Sequence, residues 1–330
     1  MPHKLDIGVC SFRNPEKLKR ALDSIYANTR TPFELNVWHN WEDLPGIDQT
    51  PDDEACLRVL EERGLETIGD GGNVGYAGAV NGLIAASVAP YFAYCDNDVE
   101  ILTPGWDERF IDILSDNPEC GQVFPGAGHY GFHNGRYHEC LWNAGYCWML
   151  RSSVLPEPFT RQDDPFSLKL DPGPMDLDLG HHEEVDLMIR LRLAGFQIGC
   201  VPDVQVLHHE TATSSPESAK RIHRGVVSWM NKWNRYFVGD AIKYPNPDPD
   251  SGEGYDPRTL RYTDFPPCAL YLERWTLAQF PEWNARERRH YDQDGNPGDM
   301  RGYREVETSA GPMDAIEILK PKGCYRGRAI

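Results

Sequence analysis

The chain has 330 residues, 40% of them hydrophobic, and is long enough to bury a large core as one α/β domain or as one domain with an appendage. Lys and Arg total 33 against 51 Asp and Glu, and a net charge of -18 argues against a broad electrostatic grip on nucleic acid without a local basic patch. No segment reaches the roughly 18 consecutive apolar residues of a membrane span. No signal peptide precedes the first strand, so we expect a cytoplasmic protein without stable membrane insertion.

Short apolar runs alternate with helical patterns over roughly the first two hundred residues, which is the order of elements in an α/β fold. The expected strands cover 5–10, 33–38, 65–68, 146–150, 197–201 and 204–209, with others near Val123 and from Tyr91 onward. The expected helices cover 15–28, 52–63, 77–87, 105–114 and 183–194. Residues 156–182 carry many Pro, Asp and Gly without periodicity, and they predict a long, partly mobile loop.

Asp96 and Asp98 follow an apolar run directly, with Asn97 between them. In open α/β sheets, ligands bind at the carboxyl ends of the strands, where these two carboxylates are expected. Hard oxygen ligands suit Mg²⁺ or Mn²⁺, which can bridge phosphate oxygens. Acidic residues at strand ends also occur in solvated turns, so the alternative without a metal stays open. The pair favours a divalent metal site beside a nucleotide diphosphate.

A glycine-rich stretch, residues 71–78, opens the third predicted helix. Backbone N–H groups at a helix start favour an anion, and glycine lets a phosphate or ribose approach the chain closely. A tight turn between a strand and a helix is the alternative. The stretch is not the dinucleotide fingerprint, which would follow the first strand directly, where Ser11-Phe12-Arg13-Asn14 stands instead.

The helix at 183–194 carries several charges in its first turns. With a turn of about 100° per residue, Asp186 and Arg190 are expected to pair at i,i+4 and face water, on the same stripe as Glu183. Glu184 instead falls on the apolar side of the helix, where burying a carboxylate costs desolvation free energy, so we expect it to face a cleft and to serve a function there. The alternative is that Glu184 only complements the helix dipole.

His208 and His209 end the strand that begins at Val204. Alternation places Val204, Val206 and His208 on one face and His209 on the other, so His208 is the better candidate for a metal ligand. A histidine in line with valines can equally be a structural residue.

In their order along the chain, these motifs resemble the family 2 inverting glycosyltransferases of the GT-A fold. The resemblance covers about residues 5 to 215 and implies a Rossmann-like, mixed and mostly parallel sheet flanked by helices. It implies a catalytic domain over 1–215, with a nucleotide-sugar half at 1–100 and an acceptor and catalytic half at 101–215. Residues 216–330 are expected to form a helical and irregular extension, with a helix over 218–236 whose Trp229 and Trp233 dock on the catalytic domain. The matching motifs are Cys10-Ser11-Phe12-Arg13-Asn14, Gly72-Asn73-Val74-Gly75-Tyr76-Ala77-Gly78, Asp96-Asn97-Asp98, Glu183-Glu184-Val185-Asp186-Leu187 and Val206-Leu207-His208-His209.

The resemblance also implies roles for individual residues. Asp96, Asp98 and His208 would hold Mn²⁺ or Mg²⁺, and the family's Glu-Asp motif falls on Glu183-Glu184, which makes Glu184 the catalytic base. The implied acceptor wall contains Trp142, Gly145 and Tyr146, and packing of this aromatic segment in the core is an equally good interpretation. The implied donor site contains Ser11, Phe12, Asn14, Asn40, Gly72, Asn73, Gly75, Gly78, Asn81, Asp96 and Asn97.

The sequence departs from the family pattern at two places. Trp38-His39-Asn40 stands where such enzymes usually carry an Asp after the second strand, and Glu184 is longer by one methylene than the usual Asp. The glycine-rich motif is similar to that of rhamnosyl and galactofuranosyl transferases, which points to a UDP or dTDP sugar as donor. The acceptor is a glycan, a lipid-linked glycan or another molecule that bears a hydroxyl; modified nucleic acid stays open but is not favoured by the net charge.

Two other functions are weighed against sugar transfer. A nucleotidyltransferase of the same fold would want a glycine-rich loop with a Lys after the first strand, which Ser11-Phe12-Arg13-Asn14 lacks. A noncatalytic carbohydrate-binding protein is disfavoured because Asp96, Asp98, Glu184 and His208 are all present.

Overall fold

The computed structural model describes residues 4–41, 50–69, 72–126, 132–133, 137–140, 145–155, 173–209, 225, 228–229, 232–233, 290–291 and 297–298. Its helices are α1 (Pro15–Asn28), α2 (Pro51–Glu61), α3 (Gly75–Ala86), α4 (Trp106–Asp116) and α5 (Glu183–Leu193), with a 3-10 helix at Ser152–Val154. Its strands are β1 (Leu5–Ser11), β2 (Phe33–His39), β3 (Thr67–Ile68), β4 (Tyr91–Asp96), β5 (Val99–Ile101), β6 (Cys120–Pro125), β7 (Phe132–His133), β8 (His138–Cys140), β9 (Cys147–Arg151), β10 (Gln197–Val201), β11 (Val206–His208), β12 (His290–Tyr291) and β13 (Pro297–Gly298).

The main sheet is mixed and mostly parallel, as predicted. Within the described ranges its strand order is β3-β2-β1-β4-β9-β6-β10-β8-β7. Strands β1, β2 and β4 run parallel, with Cys10 opposite Asp96 and Ser11 opposite His39. The carboxyl ends of these three strands therefore meet at one edge of the sheet, which is where open α/β sheets bind ligands.

Helix α1 lies over this half of the sheet and begins where the sequence predicts. Asn14 precedes it in the left-handed region, with φ 54°, and Pro15 occupies the first helical position, where its missing N–H leaves no orphan donor. Leu18, Leu22 and Ile25 recur on one face and are fully buried in the apolar core. The charged face of the same helix stays near the surface and includes Lys17 in its first turn.

A short antiparallel ribbon joins β5 to β11 and has no clear signal in the sequence. Its register places Val99 opposite His208 and Ile101 opposite Val206. Val99 and Ile101 are buried in the hydrophobic core, which anchors the ribbon. The ribbon thereby carries the end of β11 to the carboxylates that follow β4.

The prediction that Asp186 and Arg190 face water is wrong. Both residues are buried on α5, where the Arg190 Nε donates to Asp186 Oδ2 at 2.7 Å. The Arg190 guanidinium also donates to the backbone oxygen of Pro174. The i,i+4 pairing itself was predicted correctly. The predicted exposure was wrong because the segment at 173–175, which comes from a stretch without periodicity, covers this face of the helix. The two buried charges neutralise each other.

The chain divides into two compact units. One comprises Met1–Gly128, His133–Leu177 and Glu184–Thr211, and the other comprises His129–Phe132, Asp178–Glu183 and Ala212–Ile330. In the second unit, the residues described within the predicted helix at 218–236 are helical, and Trp229 and Trp233 are buried. Among the residues with described positions, no helix combines the length and apolar character needed to cross a membrane.

Candidate active site

Asp96, Asp98 and His208 come together at the carboxyl edge of the sheet. Asp96 ends β4, Asp98 lies in the turn that follows, and His208 ends β11. The His208 Nε2 lies 3.1 Å from Asp98 Oδ1 and 3.9 Å from Asp96 Oδ2. One ligand atom from each side chain falls within 4.8 Å of the other two. Two carboxylates and an imidazole at this spacing fit a divalent cation such as Mn²⁺ or Mg²⁺.

His209 is directed away from this cluster. Its Nε2 lies 2.9 Å from Glu100 Oε2, and a guanidinium nitrogen of Arg20 lies 3.3 Å from the same ring atom. The His209 backbone N–H donates to the Asp98 carbonyl at 2.8 Å. The alternation predicted along β11 therefore holds, and His208 is the histidine that the fold brings to the two carboxylates.

Two side chains that sequence reasoning did not select contact the carboxylates. The Tyr94 hydroxyl donates to Asp96 Oδ1 at 2.6 Å, and the Lys17 Nζ lies 3.6 Å from Asp98 Oδ2. In the sequence, Tyr94 resembles an ordinary aromatic residue of a buried strand and Lys17 a solvated residue of a helix. Neither residue type carries a signal that would have identified it.

The two carboxylates of the cluster differ in their proton affinity. Burial raises the pKa of Asp96 to about 7; the hydrogen bond from Tyr94 opposes the rise and the negative charge of Asp98 adds to it. Burial also disfavours ionised Asp98, but the hydrogen bonds and charges of His208 and Lys17 outweigh it and hold the pKa of Asp98 below its usual value. Asp98 therefore carries its negative charge more readily than Asp96 does.

Glu184 is the second residue of α5 and is mostly buried. Burial raises the pKa of its carboxyl to about 7; its own backbone N–H opposes the rise, and the negative charge of Asp96 adds to it. A carboxyl with a pKa near neutrality is suited to take up a proton during a reaction at neutral pH. Glu183, the first residue of the helix, is buried.

Gly145 packs directly against Glu184. A Cβ placed on Gly145 would lie 2.5 Å from the Cγ of Glu184 and 3.1 Å from the hydroxyl of Tyr76. The same hydroxyl donates to the Gly145 carbonyl at 3.4 Å. Absence of a side chain at Gly145 is therefore what leaves room for the Glu184 side chain.

Tyr146 stacks on the imidazole of His208, with ring centroids 4.7 Å apart and planes 19° apart. Its backbone oxygen accepts the Asp96 N–H at 2.8 Å. The structure thus places two residues of the predicted acceptor wall, Gly145 and Tyr146, against the base and metal-ligand candidates. Their contact with an acceptor stays a prediction, and Trp142 lies outside the described residues.

Asn97 binds the backbone of the predicted donor loop that follows β1. The Asn97 amide donates to the carbonyls of Phe12 at 3.0 Å and Arg13 at 3.1 Å. Arg13 and Asn14 both adopt positive φ, near 52° and 54°, so the loop needs such a restraint to keep its turn. Asn97 supports the loop, and direct contact between this amide and a donor stays a prediction.

Asn40 ties the end of β2 to the glycine-rich turn. Its amide nitrogen donates to the Gly75 carbonyl at 3.1 Å, and its amide oxygen accepts the Val74 N–H at 3.1 Å. Gly72 and Asn73 are exposed in this turn, where the Asn73 side chain accepts the Gly75 N–H at 3.1 Å. The Cβ of Val74 would lie 2.8 Å from a Cβ on Gly78, so glycine is needed there for a close approach. Direct contact of these residues with a donor stays a prediction.

Asn81 is buried, and its amide binds the backbone of Met175 through both its oxygen, at 2.8 Å, and its nitrogen, at 2.9 Å. Asn81 therefore anchors the described end of the predicted loop at 156–182, of which residues 156–172 lie outside the described ranges. A direct role for Asn81 in donor binding stays a prediction.

His39 fills the place where the family pattern has an Asp. It is buried between Ser11 and Asp53, with Nδ1 at 3.1 Å from Ser11 Oγ and Nε2 at 3.3 Å from Asp53 Oδ1. Asp53 also closes a capping box with Thr50 at the start of α2. Burial lowers the pKa of His39, against the neighbouring Asp53 charge, so the ring is held neutral.

Comparison with known proteins identifies the fold. Neither the protein-family models nor the curated proteins give a match to this sequence. Among solved structures, the chain is similar to a mannosyltransferase, PcManGT from Pyrobaculum calidifontis, in complex with GDP-Man and Mn²⁺; the TM-score is 0.53 at 14% identity over 86% of this chain and 75% of that one. It also matches residues 1–349 of TarS from S. aureus, with a TM-score of 0.47 and 12% identity over 72% of this chain and 67% of that one. For the complex of the same protein with UDP-GlcNAc, the TM-score is 0.48 and the identity 14%, over 72% of this chain and 68% of that one.

The match to the mannosyltransferase confirms the fold class. The chain has a GT-A-like α/β fold, with the Asp96, Asp98 and His208 cluster at the carboxyl edge of its main sheet.

Proposed function

We propose that this protein is an inverting glycosyltransferase of the family 2 type, in the style of rhamnosyl and galactofuranosyl transferases. It would move a sugar from a nucleotide diphosphate sugar of the UDP or dTDP type to an acceptor hydroxyl. The observation that carries the proposal is the meeting of Asp96, Asp98 and His208 at the end of β4, with Glu184 packed against Gly145, the residue before the Tyr146 that stacks on His208. The fold of a mannosyltransferase supports the same reaction class.

Asp96, Asp98 and His208 would hold Mn²⁺ or Mg²⁺. A bound divalent cation would neutralise negative charge on the diphosphate as it leaves. The loop after β1 and the glycine-rich turn before α3 would bind the nucleoside and phosphates, because both lie at the carboxyl edge of the sheet. Asn97 and Asn40 would keep these two segments in place through the hydrogen bonds to their backbones.

Glu184 would act as the general base. Its carboxylate takes the proton of the acceptor hydroxyl while that oxygen bonds to the anomeric carbon and the bond from this carbon to the diphosphate oxygen breaks. A single displacement of this kind inverts the anomeric carbon, and general-base assistance contributes about 10²–10⁴-fold in rate. Residues 1–215 would form the catalytic domain and 216–330 an extension, in a cytoplasmic protein whose acceptor is a glycan, a lipid-linked glycan or another hydroxyl-bearing molecule.

A thermal-shift screen tests donor binding. The full chain is melted with UDP, dTDP and GDP and their sugar conjugates, each with and without Mn²⁺, beside the Asp98→Asn variant. We expect stabilisation by a UDP or dTDP compound that requires Mn²⁺ and is lost in the variant. No shift with any diphosphate nucleotide would favour a noncatalytic carbohydrate-binding protein.

A further inference from the structure

Each carboxylate of the candidate metal site has one oxygen held by a neighbouring side chain. The Tyr94 hydroxyl holds Asp96 Oδ1, and the Lys17 ammonium faces Asp98 Oδ2. The other two oxygens, Asp96 Oδ2 and Asp98 Oδ1, are the ones that face the His208 Nε2, at 3.9 and 3.1 Å. One oxygen of each acid is therefore engaged on the side away from the imidazole, and one is presented toward it.

The Tyr94 restraint is rigid. Its side chain is fully buried, with the Trp148 ring stacked at 5.5 Å and the Tyr76 ring meeting it edge-on at 5.4 Å. A tyrosine packed on two sides cannot swing its hydroxyl to another acceptor without a change in the core. Asp96 Oδ1 is thus held by a donor whose position the core fixes.

The Lys17 restraint is fixed at two points. Besides facing Asp98, its ammonium donates to the backbone oxygen of His209, the residue after the histidine candidate. Lys17 belongs to the first turn of α1, which is anchored in the core by Leu18 and Leu22. A lysine with two partners and an anchored backbone keeps its ammonium beside Asp98 Oδ2, at an ion-pair distance of 3.6 Å.

We propose that Tyr94 and Lys17 are positioning residues that select the cation, by leaving one oxygen of each carboxylate for it. The proposal rests on the metal-dependent function proposed above. Ca²⁺ takes about 6–8 oxygen ligands and readily uses both oxygens of a carboxylate, whereas Mg²⁺ demands a compact octahedron of about six. Two carboxylates restricted to one oxygen each therefore favour Mg²⁺ and Mn²⁺ over Ca²⁺. The class of cation follows from these two contacts.

The test must compare the affinities for Mg²⁺ and Ca²⁺ with each other, because a change in the charge of the site alters the affinity for both cations even when no positional restraint is lost. Removing the Lys17 ammonium leaves more negative charge at the site, which strengthens binding of every divalent cation. Removing the Tyr94 hydroxyl takes away no formal charge, and the loss of its hydrogen bond to Asp96 disfavours the ionised carboxylate and so weakens binding of both cations. Only a loss of positional restraint changes the affinity for Ca²⁺ relative to that for Mg²⁺ in both variants. The ratio of the two dissociation constants therefore distinguishes a positioning effect from an electrostatic one.

The test measures metal binding by the full chain without substrate. Bound Mn²⁺ is followed by electron paramagnetic resonance at one fixed pH and displaced with Mg²⁺ or Ca²⁺, for the wild type, Tyr94→Phe and Lys17→Met. The matched controls are Tyr91→Phe, whose hydroxyl contacts Ser115, and Lys19→Met, which pairs with Asp23 on the surface of α1. Thermal melting shows that each variant is folded.

We expect the preference for Mg²⁺ over Ca²⁺ to fall about tenfold in Tyr94→Phe and in Lys17→Met, while the controls and Lys17→Arg keep the wild-type ratio. Folded variants with an unchanged ratio would overturn the inference while leaving the metal site in place. A shift in only one variant overturns it for the other residue. A wild-type chain that binds no Mn²⁺ would defeat the proposed metal-dependent function as well.

Discussion

Gly145→Ala tests how the candidate base is placed. The added methyl would start 2.5 Å from the Glu184 Cγ, and since nonbonded carbons rest about 3.5–4.0 Å apart, the Glu184 side chain must move by about 1 Å. Displacing a catalytic group by about 1 Å can cost about 100-fold in rate, or roughly 2.7 kcal/mol of transition-state stabilisation. We therefore expect kcat for sugar transfer to fall about 100-fold, while Mn²⁺ and donor binding stay at wild-type strength.

Initial rates and donor titrations on the same preparations measure the two effects separately. Gly121→Ala is the matched control, because its new Cβ would lie 2.9 Å from the Cβ of Phe196, with a similar overlap but without contact to Glu184. It should lower the melting temperature and leave kcat unchanged. A folded Gly145→Ala protein with the wild-type kcat would refute the reasoning that Gly145 makes room for the base.

Four further predictions follow from the site and its surroundings. Glu184→Gln should lower transfer by about 10²–10⁴-fold and leave donor binding intact, as measured by rates and calorimetry; near wild-type turnover would remove Glu184 as the base. Because burial raises the pKa of Glu184 to about 7, kcat should rise about tenfold per pH unit below pH 7 and level off above it. A kcat that is independent of pH from 5 to 8 would contradict a base with this pKa. Asp98→Asn, or EDTA treatment of the wild type, should abolish both Mn²⁺ binding and transfer, and full activity in EDTA would exclude the metal role. Burial lowers the pKa of His39 below its ordinary 6.5, so the unfolded chain binds the extra proton and the contribution of His39 to the free energy of unfolding should fall as the pH drops below about 6.5. In urea titrations, the unfolding free energy of the wild type should therefore decrease relative to that of His39→Gln over this range, and a difference independent of pH would contradict the role of His39.

The fold class and the first element of the site were predictable from local patterns. A short apolar run that stops at Asp96 indicates a strand whose end carries a carboxylate, and alternating strands and helices place that end on the ligand-binding edge of a parallel sheet. Alternation along β11 likewise separated His208 from His209 before their positions were known. These predictions depend only on residues that are close in sequence, because the periodicity of a strand or helix determines the direction of their side chains.

The contacts that complete the site depend on partners far apart in sequence. Asp98 meets His208 only through the ribbon of β5 and β11, and it meets Lys17 only through the packing of α1. The exposure of Arg190 was predicted wrongly for the same reason, since the residues that cover it come from a stretch without periodicity. A pattern within one element shows which face is apolar, but another element decides which polar residues are covered.

The amides of the site show a second limit of sequence reasoning. Asn40, Asn81 and Asn97 are predicted donor ligands, and in the structure their side chains bind backbone groups of neighbouring segments, while their contact with a donor stays a prediction. An amide can bind a ligand or hold a loop with the same donors and acceptors, so residue type alone does not separate these roles.

We expect the site containing Asp96, Asp98, His208 and Glu184 to cleave a nucleotide diphosphate sugar with the help of a divalent metal. Phosphorus NMR of the full chain with UDP and dTDP sugars and Mg²⁺ measures this directly, because slow transfer to water needs no acceptor. We predict release of the nucleoside diphosphate from one of these donors, dependent on Mg²⁺ and absent in Asp98→Asn and Glu184→Gln. Release that continues unchanged in both variants or in EDTA, or neither binding nor release with any nucleotide sugar, would contradict the claim.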